Sequence, residues 1–202
     1  MPPPVRPADR FAAGGGLLAP ASFVGAWAVF GARREGYDPV EQAISQLARI
    51  GTPERLGMTA GFVAFGLLLP VFAARLPALL EAGRPLRTSM LVAGVSTLAV
   101  AALPLQREEG GTGDLLHAIA AGTGYLAMAV SPALGARGLR RSGRRTAAAL
   151  SLTVSGVSVA ALVASVAGGP TGLWQRAGLG VVDAWFAACA VWVITRPGAR
   201  ET

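Results

Sequence analysis

Six stretches of this chain carry almost no charge and are long enough to cross a lipid bilayer. They lie at about 11–32, 56–74, 88–105, 115–136, 146–168 and 177–195. A helical span needs about 20 consecutive, mainly apolar residues. Inside a bilayer the backbone must satisfy its own hydrogen bonds, so such runs fold as helices. The expected fold is therefore all-α, a polytopic membrane protein built as a six-transmembrane-helix bundle. Only 14% of the residues are charged, where a soluble domain carries roughly 25%. The expected division is a disordered N-terminus over 1–10, a membrane domain over 11–196 and a C-terminal tail over 197–202, with no separate soluble domain.

All the positive charge comes from arginine. The arginines sit in short clusters between apolar runs rather than on one polar surface, so topology explains them and nucleic acid is not an expected partner. The N-terminus, the 75–87 and 137–145 loops and the C-terminus hold Arg6, Arg10, Arg75, Arg84, Arg87, Arg137, Arg140, Arg141, Arg144, Arg145, Arg196 and Arg200. The opposite side holds Arg33, Arg34, Arg49, Arg55, Arg107 and Arg176, with most of the acids. By the positive-inside rule, both termini are expected in the cytoplasm of a bacterial cell, with the bundle in its cytoplasmic membrane.

The sizeable polar stretch is Tyr37–Leu56, between the first two spans. Asp38-Pro39-Val40-Glu41 reads as a helix start, with Asp38 as cap, Pro39 in the first turn and Glu41 closing a capping box. Val40, Ile44 and Leu47 then share one helical face. A short amphipathic helix over 38–49, lying on the extracytoplasmic membrane surface, is expected. Pairs of small residues (Gly61 and Gly66, Gly122 and Gly124, Ser151 and Ser155, Gly156 and Ala160, Gly180 and Ala184) suggest close helix packing.

With this topology the polar residues near the spans gather at the outer end. Asp114 and His117 share a face at the start of the fourth span. Gln175, Arg176 and Asp183 lie at the start of the sixth, and Glu41, Ser45, Gln46 and Arg49 come from the surface helix. Ionisable groups within a span are candidates for function because each is costly unless paired or wetted. Asp183, Glu41 and His117 are the acid–base candidates; Arg176, Gln175, Asp114, Gln46, Arg49 and Ser45 are the ligand-binding candidates. Each also has a structural reading: Glu41 as a cap, Asp114 as a complement to the helix dipole, His117 as a buried hydrogen-bonding residue, Asp183 as the ion-pair partner of Arg176. One histidine and one cysteine supply no usual zinc set, and no nucleotide fingerprint stands in a suitable context, so no metal or cofactor is expected.

The string YDPVEQAISQLA, the Asp114/His117 pair before a Gly-Tyr helix, and Leu173-Trp174-Gln175-Arg176 followed by Gly180 to Trp185 together resemble the bacterial and archaeal membrane family catalogued as domain of unknown function 998. The resemblance covers about residues 15–195. It implies a six-helix inner-membrane protein and no established activity. Many relatives carry an acid where this chain has Gln46.

Three functions fit these residues. The first is binding of a lipid or other amphiphilic small molecule in an outward-facing polar pocket, with Arg176 and Arg49 on its head group. The second is an enzyme using Asp183 or Glu41, assisted by His117, on a lipid or isoprenoid-like substrate. The third is a structural partner in a homo-oligomer or larger membrane complex.

Overall fold

The apolar runs fold as continuous helices because lipid offers no water to an open N–H or C=O. The computed structural model describes residues 5–197. Its helices are α1 (Pro7–Arg33), α2 (Arg55–Ala73), α3 (Leu76–Leu79), α4 (Gly83–Ala102), α5 (Thr112–Arg141), α6 (Arg145–Val166) and α7 (Thr171–Thr195), with a 3-10 helix at Ile44–Ala48. Six of these, all but α3, are long and apolar enough to cross a membrane, and the chain is a multi-pass membrane protein. Each spanning helix packs on its neighbours in chain order; α7 closes the ring on α1, and α5 touches α7 across it.

Helix ends differ from the sequence expectation where a polar residue finds a partner. α1 starts at Pro7 within the stretch expected to be disordered, because the Asp9 carboxylate accepts the Arg6 N–H at 2.9 Å and pairs with Arg75 Nε at 2.9 Å. This buried acid ties the start of α1 to the turn after α2. α7 starts at Thr171, with Pro170 as its N-cap, six residues ahead of the expected Ala177. The tail expectation for 198–202, the position of Arg200 and the expectation for residues 1–4 lie outside the described residues.

The surface segment is a correction. In place of an α-helix over 38–49 there are turns and then the five-residue 3-10 helix. Asp38 closes a turn rather than capping a helix, its Oδ1 accepting the N–H of Val40 at 2.8 Å. Glu41 does not complete a capping box; the Gln42 side chain takes the Asp38 N–H instead. At Ala43 the chain turns extended, and the next N–H, that of Ile44, goes to the Gln175 side chain on α7 at 2.7 Å. Docking onto α7 thus replaces the helix's own hydrogen bonds. Ile44 and Leu47 are buried as the pattern implied, whereas Val40 is exposed.

Packing uses small residues and serine hydroxyls. A side chain at Gly66 would meet Leu98 and the Gly94 carbonyl on α4, and one at Gly138 would strike the backbone at Leu80 and Glu81. Ser89 donates to the Ala127 carbonyl at 2.7 Å and Ser155 to that of Ala129 at 2.6 Å, joining α4 and α6 to α5. Phe23 stacks against Phe62 and Phe65 between α1 and α2. Gly122, Gly156 and Gly180, by contrast, face open space and are not packing contacts within the bundle. Gly138→Val should destabilise the bundle by roughly 1–3 kcal/mol, since a main-chain neighbour cannot rotate away. Gly180→Val should be close to neutral, and thermal unfolding of both variants in detergent would compare them. Equal losses would contradict the packing described.

Candidate functional site

The 37–50 segment closes one end of the bundle, and it is held there by side chains reaching out from α7 and from the 103–111 loop. Arg176 is its main anchor. Nη1 donates to the carbonyls of Pro39 at 2.7 Å, Gln42 at 3.1 Å and Gly172 at 3.0 Å, and Nη2 donates to the Tyr37 hydroxyl. The guanidinium also lies over the Trp27 ring of α1 at 5.2 Å and the Tyr37 ring at 5.5 Å. Burial pushes the Tyr37 phenol up, and the Arg176 hydrogen bond offsets part of the rise, so the neutral hydroxyl donates in turn to the Ala43 carbonyl at 3.1 Å. Gly172 has no room for a side chain, because a Cβ would strike the Pro39 and Gln42 carbonyls. The Leu173 N–H donates to the Val40 carbonyl at 2.8 Å.

On the other flank Arg49 bonds Gln46 Oε1 at 2.8 Å, the Gln106 carbonyl at 2.7 Å and Glu109 at 3.0 Å. Asp114 folds the 103–111 loop, accepting the N–H groups of Gln106 at 2.7 Å and Gly110 at 3.1 Å. Glu41 is exposed at the rim. Arg176, Arg49, Gln46 and Asp114 are thus committed to the protein's own backbone and side chains. They position the cap.

Beneath it lies a cavity of about 60 Å³, lined by residues that include Ser45, Phe62, Phe65, His117, Tyr125 and Gln175. His117 is 3% exposed. Its Nδ1 lies 2.6 Å from the Leu103 carbonyl, which can only accept, so Nδ1 carries a proton. In the neutral ring Nε2 is then an acceptor, and it has no partner among the described residues. Ser45 and Gln175 reach the same wall from the cap and α7, and the Tyr125 hydroxyl bonds the Trp174 carbonyl at 3.3 Å. Sequence spacing singled out His117 but gave no sign of the phenylalanines as its neighbours. Phe62 and Phe65 come from α2, distant in sequence, whereas Tyr125 stands two turns along α5 from His117 itself, at a helical spacing that was open to reading.

The expected Arg176–Asp183 pair is absent. Arg176 turns to the cap, and Asp183 is buried about two turns further along α7 with neither carboxylate oxygen hydrogen-bonded among the described residues. Asp183 is not among the residues lining the cavity. Of the three acid–base candidates, His117 alone lines it.

The sequence model of the family described as "Protein of unknown function (DUF998)" matches residues 17–192. No curated protein matches the chain, and no solved structure does.

Replacing Arg176 with Gln should cost roughly 2–3 kcal/mol, the scale for losing hydrogen bonds from a charged donor. Amide exchange should accelerate at 37–47 well before the transmembrane helices respond. Unchanged exchange there would show that Arg176 does not hold the cap.

Proposed function

We propose that this chain, which belongs to the DUF998 family of proteins of unknown function, is a binding protein for an amphiphilic small molecule whose polar end enters the capped cavity. The observation that supports this reading is His117 Nε2, an unpartnered acceptor in the wall of a small, largely apolar space. A buried acceptor without a donor costs on the order of 1–3 kcal/mol, and a ligand hydroxyl or ammonium would remove that cost. Ser45 and Gln175 offer further hydrogen bonds, while Phe62, Phe65 and Met128 suit apolar carbons. The cavity is too small for a whole lipid, so the polar end is held and the tail stays in the membrane. Arg176 and Arg49 act as struts for the cap rather than as head-group ligands. The arginine asymmetry supports cytoplasmic termini and an outward cap in a bacterial inner membrane.

Asp183 gives a specific reason for a second reading, an acid–base enzyme acting on the same amphiphile. An ionisable residue within a span costs a few kcal/mol and is rarely idle. Its place off the cavity wall favours binding over catalysis.

Native mass spectrometry of the full chain in mild detergent tests both. Wild type should carry a hydroxyl- or amine-bearing amphiphile. Ala121→Leu, which fills the cavity, and His117→Phe, which removes the acceptor, should lose it, while Asp183→Asn keeps it. Accumulation of a chemically distinct precursor in Asp183→Asn would replace the binding reading with the enzyme. A bare wild-type protein, or an adduct indifferent to the cavity variants, would overturn both.

A further inference from the structure

The opposite end of the bundle holds a second space, about 540 Å³, between the halves of α6 and α7 nearest the chain termini. Its walls are hydrocarbon, among them Leu139, Leu150, Val154, Val181 and Trp185. The Trp185 indole N–H is already bonded to Ser151 Oγ at 2.9 Å, so that wall offers no free donor. The volume falls within the roughly 300–1,000 Å³ of small-ligand sites. A groove of this kind takes an alkyl chain.

Its mouth has a different chemistry. Arg144, at the N-cap of α6, lies over the Trp192 ring at 4.5 Å, and Arg196, at the C-cap of α7, lies over the same ring at 4.6 Å. Arg144 and Trp192 both line the groove. Arg10 adds a third guanidinium, donating to the Arg196 carbonyl at 2.9 Å. No carboxylate pairs with Arg144 or Arg196 among the described residues; Asp9, the buried acid at this end, is taken by Arg75 and Arg6. Arg196 Nη1 is buried without a partner among the described residues, and burial followed by the Arg144 charge holds the Arg196 pKa below its ordinary value. Two like charges on one ring, at the ends of α6 and α7, call for an anion beside them.

We propose that this groove is a site for one anionic phospholipid from the leaflet on the arginine-rich side, its phosphate held by Arg144 and Arg196 and one acyl chain lying between α6 and α7. A single molecule then satisfies both the hydrocarbon walls and the paired charges. Trp192 sets the depth, as an indole does at a membrane interface. The site is separate from the capped cavity and stands whether or not that cavity binds a ligand.

The test uses the full chain in detergent, titrated with phosphatidylglycerol or phosphatidylcholine and read by native mass spectrometry. At roughly five-fold per arginine, the first phosphatidylglycerol should bind some 20- to 30-fold more tightly than phosphatidylcholine. Arg144→Gln combined with Arg196→Gln should abolish that preference. Arg84→Gln combined with Arg87→Gln removes the same charge from exposed positions at the same end and should leave it intact. Val154→Trp obstructs the groove without altering either arginine and should displace the lipid, which keeps the test open if the double variant does not fold. Equal affinity for the two lipids would mean ordinary annular lipid. An equal loss in both double variants would mean a diffuse surface field, and retention in Val154→Trp would place the lipid elsewhere. Each of these three outcomes would overturn the proposal.

Discussion

Every polar group placed in hydrocarbon must find a partner within the protein, and this constraint explains most of what the bundle does. The backbone meets it by folding as six spanning helices. Serines meet it by donating to carbonyls, as Ser89 and Ser155 do onto α5, and such bonds join helices where the hydrophobic effect cannot. Asp9 meets it with Arg75. Against that background the exceptions deep within the spans stand out: His117 Nε2, Ser158 Oγ and both oxygens of Asp183 are buried with no partner among the described residues. His117 adds something the other two lack, a place in the wall of a cavity. That combination is why the functional reading centres on the histidine rather than on the carboxylate.

The same constraint accounts for the cap. A segment that lacks α-helical bonds presents bare carbonyls at the membrane surface. Arg176 collects those of Pro39 and Gln42, and Arg34 Nη1 takes that of Gln46 at 2.6 Å. A guanidinium suits this task because its planar fork carries five donors. Using it this way leaves Asp183 without its expected counter-ion. It also leaves the cap attached mainly through polar contacts at its edge, with Ile44 and Leu47 as the apolar plug beneath.

Much of this architecture was legible in the sequence because the bilayer imposes so strong a length and composition rule. The six spans, the polar segment between the first two, and the meeting of Asp114, His117, Gln175 and the 44–49 residues at one end all follow from hydropathy and helical period. The failures share one physical cause. Local patterns report what a segment prefers alone, and tertiary partners decided otherwise: Gln175 took the Ile44 N–H and stopped a helix, Asp9 found Arg75 and extended one, and Arg176 chose carbonyls over a carboxylate. Small-xxx-small spacing is equally local. It marks Gly180 as readily as Ser155, although of the two only Ser155 meets another helix.

Arginine shows how far residue type underdetermines role. At the capped end Arg34, Arg49 and Arg176 all bond to carbonyls or side chains of the protein, so their charges serve the fold. At the other end Arg75 does the same through Asp9, but Arg144 and Arg196 rest on an indole and bond to no acid among the described residues. A count of arginines on each side orients the chain and treats all of them alike. Orientation needs only their charge, whereas recognition needs charge left uncommitted beside a surface of the right shape. The groove between α6 and α7 is where both conditions are met. The more basic side of the bundle therefore also carries, in Arg144 and Arg196, the charges proposed to hold an anionic lipid.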